Sequence, residues 1–234
     1  SDGEALLEAV LESFFGSMRV SVMLDANGCN TTAAAAVVSA ARHIGLDGTM
    51  ALVLAGTGPV GERAARLLAG QGATVRVASR QSVRAESTVA RIQAELPEGS
   101  LEPVQTASSH ETRVALEGVQ LVMAAGAEGI ELLPPGSWEE CQALEVAIDL
   151  NAVPPQGIAG IDVMDRAVDH QGITCYGAIG VGGTKMKIHK AALQRLYDSN
   201  DQVLDAEVIF GIGKELEEQA RDSPAGGDVG SGEG

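Results

Sequence analysis

Ala51-Leu52-Val53-Leu54-Ala55-Gly56-Thr57-Gly58-Pro59-Val60-Gly61 is the stretch that decides the fold. An apolar run enters Gly-x-Gly-x-x-Gly, and helical spacing follows to Gly70, so the segment reads as strand, tight turn and helix. In such a unit Gly56 permits the turn, Gly58 lets backbone approach a pyrophosphate, and Gly61 lets helix touch strand. The helix start offers free amides and the positive end of its dipole to phosphates. Pro59 falls in the first helical turn, where a missing N–H costs little. A bare Gly-x-Gly-x-x-Gly is a weak signal, because a glycine-rich turn need bind nothing. Its place at the head of a βαβ unit gives it weight. Gly56, Thr57, Gly58, Pro59, Val60 and Gly61 are therefore the first candidate cofactor residues.

Downstream the alternation continues. Strands are expected at Met50–Ala55, Thr74–Ala78, Val104–Ala107, Leu121–Ala125, Leu144–Asp149 and Thr174–Ala178. Helices are expected at Val60–Gly70, Val83–Glu95, about His110–Leu116, about Lys187–Leu196 and about Ala206–Gln219. Strands separated by helices imply an α/β fold, a Rossmann-like doubly wound parallel sheet. Upstream, Glu4–Phe15 reads as an amphipathic helix closed by Gly16, Arg19–Leu24 as a strand, and Asp25–Asn30 as a polar turn. Asn30 reads there as an N-cap. Thr31 to about Ile44 is an alanine-rich helix able to pack closely, within the chain or between subunits. The Gly/Ser/Pro-rich acidic tail is expected to be disordered.

The second strand selects the cofactor. A carboxylate at its end would bond the ribose 2′-hydroxyl of NAD and repel a 2′-phosphate. Val75-Arg76-Val77-Ala78-Ser79-Arg80-Gln81-Ser82 offers Ser79 and Arg80 instead, with Arg84 as a second cation. That favours NADP, with NAD possible; the bland alternative makes Arg80 a solvated loop residue. Ala125 and Gly126, after another strand, are small enough to admit a nicotinamide-ribose, and Asn151 follows the next strand. Both segments read equally well as tight turns.

A net charge of −16 argues against nucleic acid or an anionic membrane as partner. Aromatics are only 3% of residues, so the core must be aliphatic, which suits packed α/β layers. Cys29, Cys141 and Cys175 lack the spacing of a disulfide framework or zinc site, so no metal is expected. No apolar run approaches a membrane span and no signal peptide is visible, which makes a cytoplasmic enzyme the default expectation.

Several segments taken together resemble the bacterial methylene-tetrahydromethanopterin dehydrogenases. They are Phe14-Phe15-Gly16, Val22 to Ala34 with its Asp25-Ala26-Asn27-Gly28-Cys29-Asn30-Thr31 centre, and the Gly56–Gly61 turn. Ala125-Gly126-Ala127, Gly129 to Pro134, Asp149-Leu150-Asn151-Ala152, Pro154 to Ile158, and Gly177 to His189 complete the series in the family's order. The resemblance spans about Glu4 to Glu217. It implies oxidation of methylene-tetrahydromethanopterin, or methylene-tetrahydrofolate in some members, to the methenyl form, with hydride passing to NADP or NAD. It implicates the lysine of the Gly-Gly-x-Lys segment, Lys185 here, as catalytic. It also implies a cleft between a Rossmann domain and a second α/β domain. Residues 47–188 would be the NADP-binding domain. Residues 1–46 would be part of the pterin-side domain, its first part not present, joined by C-terminal helices over 189–220; 221–234 would be the tail. A homo-oligomer is expected.

Hydride leaving a carbon between two nitrogens gives a delocalised amidinium cation, so placement matters more than a strong base. Lys185, reached through a flexible Gly182-Gly183 turn, would orient the pterin by bonding a carbonyl or ring nitrogen; otherwise it is an exposed helix-start lysine. Asp25, Asn27, Asn30 and Thr31 would bond a pterin edge, or only form an Asx turn and N-cap. His43, His110, His170 and His189 read as structural or surface residues. Two competitors remain: another NADP-dependent reductase on the scaffold, whose substrate motifs are not found, and a non-enzymatic NADP-binding module.

Overall fold

The computed structural model describes residues 2–139 and 141–222. Seven strands form one sheet in the order β4-β3-β2-β5-β6-β8-β7. They are β2 (Met50–Leu54), β3 (Thr74–Ser79), β4 (Ser100–Gln105), β5 (Leu121–Ala124), β6 (Val146–Asp149), β7 (Arg166–His170) and β8 (Ile173–Tyr176). All neighbours are parallel except β7, which runs antiparallel to β8. The chain winds outward from β2 through β3 to β4, then restarts at β5 on the other side. The switch point between β2 and β5 is where such sheets take ligands, beyond the carboxyl ends of the strands. The architecture is a Rossmann-type doubly wound sheet.

The period-two pattern of the strands builds two cores. Ala51, Val53, Val75, Val77, Leu121, Met123, Val146 and Ile148 face one side. Leu52, Leu54, Ala78, Val122, Ala124 and Ala147 face the other. The first side is covered by α2 (Cys29–Ala41), α3 (Pro59–Gly70), α4 (Ser82–Glu95), α6 (Ala178–Arg195) and α7 (Ala206–Asp222). The second is covered by α5 (Ser109–Leu116) and by the irregular crossover after β5, whose Trp138 is buried and donates Nε1–H to the Ala159 carbonyl at 3.0 Å. Among the described residues the crossover between β5 and β6 thus holds packed loop and not the helix that regular alternation implies.

The alanine-rich helix α2 resolves its own ambiguity. Ala33, Ala34, Ala35 and Ala36 are all wholly buried, and the helix packs within the chain between α3, α6 and α7. Ahead of it lie α1 (Asp2–Glu12) and β1 (Val22–Met23), the latter paired in parallel with β9 (Val203–Leu204). The N-terminal and C-terminal segments therefore meet in one small ribbon.

Several local expectations are corrected. β4 begins four residues earlier than Val104 and carries Pro103, which is tolerated because β4 is an edge strand. α1 ends at Glu12, short of Phe15, and only Val22–Met23 of the Arg19–Leu24 run is strand. α2 is capped by Gly28, not Asn30. α6 begins at Ala178, nine residues before Lys187, so the Gly182-Gly183 pair lies inside a helix. Arg221 and Asp222 are the last turn of α7 and not coil; 223–234 lies outside the described residues. Among the described residues no helix is long and apolar enough to cross a membrane.

Candidate active site

The glycine turn owes its shape to contacts that only hydrogen permits. A Cβ on Gly56 would lie 2.8 Å from the Val53 carbonyl oxygen and 2.9 Å from Val77 Cγ1. One on Gly61 would lie 2.8 Å from both the Ala55 oxygen and Gly56 Cα, so helix and strand touch there. Gly58 is different: its nearest neighbours would be the Ala55 oxygen at 3.5 Å and the Ala125 oxygen at 3.8 Å, both ordinary contacts. The protein itself leaves room for a side chain at position 58. The Gly56 amide donates to the Ala78 carbonyl at 2.9 Å, tying the turn to β3. Val60 and Gly61 stand in the first turn of α3, where amides have no acceptor within the helix.

Ser79 ends β3, nearly buried, and its Oγ accepts from the Gln81 amide at 3.2 Å. Arg80 and Arg84 are exposed, and among the described residues neither guanidinium has a partner. Across the switch point, the Ala125 amide donates to the Leu54 carbonyl at 3.1 Å, and a Cβ on Gly126 would press on Leu132 Cδ1 at 3.0 Å. Asn151 is buried and fully engaged. Its Oδ1 accepts from the Val153 amide at 3.1 Å, and its Nδ2 donates to the Pro155 carbonyl at 3.2 Å. It shapes the loop after β6 from within. Asp149, also buried, accepts from the amides of Asn151 and Ile158, each at 3.0 Å. Burial pushes its carboxyl above the usual range, against the pull of those amides.

The second group of residues assembles around the turn ahead of α2. Asp25 Oδ1 accepts from the Thr31 amide at 3.0 Å and Oδ2 from the Thr31 hydroxyl at 2.7 Å, which fixes the turn. Asn27 is exposed in the left-handed region, with φ of 51°. Asn30 is buried: Nδ2 donates to the Leu24 carbonyl at 2.5 Å, and Oδ1 accepts from Arg63 Nε. Asn30 and Thr31 therefore serve the fold, while the Asp25 side chain, both oxygens engaged by Thr31, is about 10% exposed and Asn27 is open.

Lys185 lies in the second turn of α6, not on a mobile loop. Gly177 and Gly180 place it: a Cβ on either would drive into backbone of 162–166, at 2.0 Å from the Asp162 oxygen and 1.7 Å from the Asp165 oxygen. The start of α6 can sit on that segment only with glycine there. Arg42 pins the same helix, donating to Thr184 Oγ1 at 3.0 Å while pairing with Glu217. Lys185 Nζ comes to rest on Gly28, 2.6 Å from where a Cβ would be. One helical turn on, His189 Nδ1 is 3.7 Å from Asp25 Oδ2. The structure thus gathers Lys185, His189, Asp25 and the exposed Asn27 at one turn. Nearby Cys29 has its thiol pushed up, by burial first; Arg63 and Lys185 pull it down and Asp25 pushes it up.

Sequence reasoning missed Arg63 and the placement of His189. The i, i+4 spacing of Lys185 and His189 puts them on one helix face and was the available signal for the second. For Arg63 the only signal was an arginine among buried helix positions, between Gly61 and Ala64.

No protein-family model matches the chain. Over 216 residues, 92% of this chain and 75% of the relative, it is 42% identical to the bifunctional protein MdtA of Methylorubrum extorquens. It is also 32% identical, over 110 residues, to the NAD(P)-dependent methylenetetrahydromethanopterin dehydrogenase of the same organism; that match covers 44% of this chain and 36% of the relative. Among solved structures, the transhydrogenase of Sinorhizobium meliloti superposes with a TM-score of 0.53 at 13% identity, covering 82% of this chain and 55% of the other. An L-alanine dehydrogenase does so at 0.50 and 15%, covering 80% and 64%. These two likenesses concern the fold alone. The extent and identity of the first match decide the family: this chain belongs to that of the bifunctional protein MdtA.

Proposed function

We propose that this chain is an NADP-dependent oxidoreductase that removes hydride from the methylene bridge of a reduced pterin, methylene-tetrahydromethanopterin or methylene-tetrahydrofolate, leaving the methenyl form. The observation that carries the reading is the seat of Lys185, on a rigid helix, against Gly28 in the Asp25–Thr31 turn. The name of the 32% identical relative, an NAD(P)-dependent methylenetetrahydromethanopterin dehydrogenase, supports the choice of substrate.

The residues present fit the cofactor. The room beside Gly58, which no protein atom needs, suits the approach of a pyrophosphate, and the amides of the first turn of α3 would receive it. Ser79, Arg80 and Arg84 would hold the 2′-phosphate, Arg80 being exposed just after β3 and, among the described residues, without a partner for its guanidinium. Ala125, Gly126 and the loop shaped by Asn151 would form the wall for the nicotinamide-ribose. NADP, when bound, supplies the hydride-accepting ring. The chain's own part is placement: Lys185 donates to a pterin carbonyl or ring nitrogen, and Asn27, with the small exposed part of Asp25, bonds its polar edge. The C–H electron pair leaves with the hydride, lone pairs of the two flanking nitrogens delocalise the positive charge left on the carbon, and no proton is lost, so no base is required.

The test is NADPH formation, followed by absorbance, with each methylene pterin in turn, using the chain and its Lys185→Gln variant. Turnover with either pterin, lost in K185Q while NADPH still binds, is the expected result. A folded chain that binds NADPH and is silent with both pterins would overturn the substrate. Turnover untouched in K185Q would overturn the role of the lysine.

A further inference from the structure

Arg63 is a buried arginine in the second turn of α3, immediately behind the glycine turn. Its three donor groups go to three different segments. Nη1 donates to the Pro59 carbonyl, in the first turn of α3, at 2.8 Å. Nε donates to Asn30 Oδ1, at the start of α2, and Nη2 to Glu4 Oε1, on α1, at 3.2 Å. Asn30 passes the contact on, donating to the Leu24 carbonyl at the foot of the Asp25 turn. Pro59, Arg63, Asn30 and Leu24 thus form an unbroken polar chain between the glycine turn and the turn on which Lys185 rests. A guanidinium is planar and rigid, so it transmits a displacement that a lysine or a solvated pair would absorb.

We propose that Arg63 is a positioning residue that sets the gap between the cofactor turn and the Asp25–Thr31 turn, and so couples occupancy of the first to order in the second. The proposal rests on the reading of Gly56–Gly61 as the NADP site. Neither Arg63 nor Asn30 needs to touch ligand. Hydride transfer is acutely sensitive to the separation of the reacting carbons, and a 1 Å misplacement costs on the order of 100-fold.

The coupling is read without turnover by amide hydrogen exchange with NADP at 100 times its Kd. In the unaltered chain NADP slows exchange both at 56–61 and at 24–31, by up to about 100-fold where opening breaks the bound state. In Arg63→Met the slowing stays at 56–61 and is lost at 24–31. Asn30→Asp cuts the other end: the carboxylate keeps Arg63 but cannot donate to the Leu24 carbonyl, so it gives the same loss even if R63M fails to fold. Where a pterin is turned over, both variants lower kcat about 10- to 100-fold with the KM for NADP little changed. Protection at 56–61 without any at 24–31 in the unaltered chain overturns the coupling and leaves the cofactor site standing. So do variants that are less stable yet transmit fully. Protection at neither turn removes the cofactor site, and the coupling with it.

Discussion

Gly58→Ala separates what the fold needs from what the cofactor needs. Its φ of −83° is open to any residue, and the new Cβ meets only the Ala55 oxygen at 3.5 Å and the Ala125 oxygen at 3.8 Å. Two small effects on stability oppose each other. Alanine is a poorer N-cap than glycine, by about 0.5–1 kcal/mol. Against that, it reduces the freedom of the unfolded chain, a gain of about 0.4–1 kcal/mol. The unfolding free energy should therefore stay within about 0.5 kcal/mol of the parent in urea. Gly61→Ala is the control. Its Cβ would lie 2.8 Å from two backbone atoms, which cannot swing aside, and overpacking of this kind costs about 1–3 kcal/mol. In a fluorescence titration with NADPH, G58A should raise Kd at least about tenfold, equivalent to about 1.4 kcal/mol, because the methyl group fills the space left for phosphate. NADPH binding within twofold of the parent would refute the assignment of that space. Destabilisation matching that of G61A would refute the steric argument itself.

Arg80→Ala should lower kcat/KM for NADP about tenfold or more while leaving NAD unaffected, since a charge-assisted bond contributes about 1.5–3 kcal/mol; an unchanged NADP/NAD ratio would make Arg80 a solvated loop residue. Gly28→Ala places a methyl group on Lys185 Nζ at a φ of +67°, so turnover should fall towards that of K185Q while NADPH affinity holds. Finally, burial and then the neighbouring Arg42 hold the His43 imidazole below its ordinary value of about 6.5, and its Nε2 lies 2.7 Å from the Tyr176 hydroxyl. With the folded value depressed, the unfolded chain binds the extra proton first. Stability should be full above about pH 6.5 and decline as pH falls towards the folded value. Urea midpoints from pH 8 to 5 should show this in the parent and less of it in His43→Gln.

Local pattern made the sheet legible, and long-range packing hid the rest. The strands β2, β5 and β6 are short, mainly aliphatic runs buried on both faces, and β3 alternates around half-buried Thr74 and Arg76, signals that survive in one dimension. β7 carries Arg166, Asp169 and His170, is mostly exposed, and holds the edge only because β8 pairs with it, so nothing in its composition marks a strand. The Gly182-Gly183 pair reads as a turn because glycine is a poor helix former. Gly177 and Gly180, just ahead of it, are there because the helix start lies on the backbone of Asp162 and Asp165, a contact invisible to spacing. The same holds for the candidate site. Gly56 to Gly61 and Lys185 are found by motif, whereas Arg63 meets Asn30 across 33 residues of sequence. Asn30 itself has the residue type of a pterin ligand or an N-cap, yet its amide is consumed by Leu24 and Arg63.

The helical seat of Lys185 bears on the chemistry proposed for it. Loss of hydride leaves a positive charge on the pterin, and an ammonium a few ångströms away opposes it, by about 4 kcal/mol at 4 Å in a medium of effective dielectric 20. A lysine on a flexible turn would have many positions from which to do so. On α6 its backbone is fixed, because Gly177 and Gly180 lock the helix start and Arg42 holds Thr184 beside it, so only the side chain's own rotamers move the ammonium. The same turn carries the counter-charge. Asp25 is held by both the amide and the hydroxyl of Thr31, and it acts on the Cys29 thiol in the sense opposite to Lys185. Thr31 has no exposed surface with which to meet a pterin, but in the proposed reaction it would still serve by fixing Asp25 as a negative charge at the turn on which Lys185 rests. Under the proposed function, a carboxylate fixed by Thr31 at the turn on which Lys185 rests would let that turn offer a hydrogen-bond donor to the pterin while reducing the net positive charge it presents to the carbon that becomes cationic.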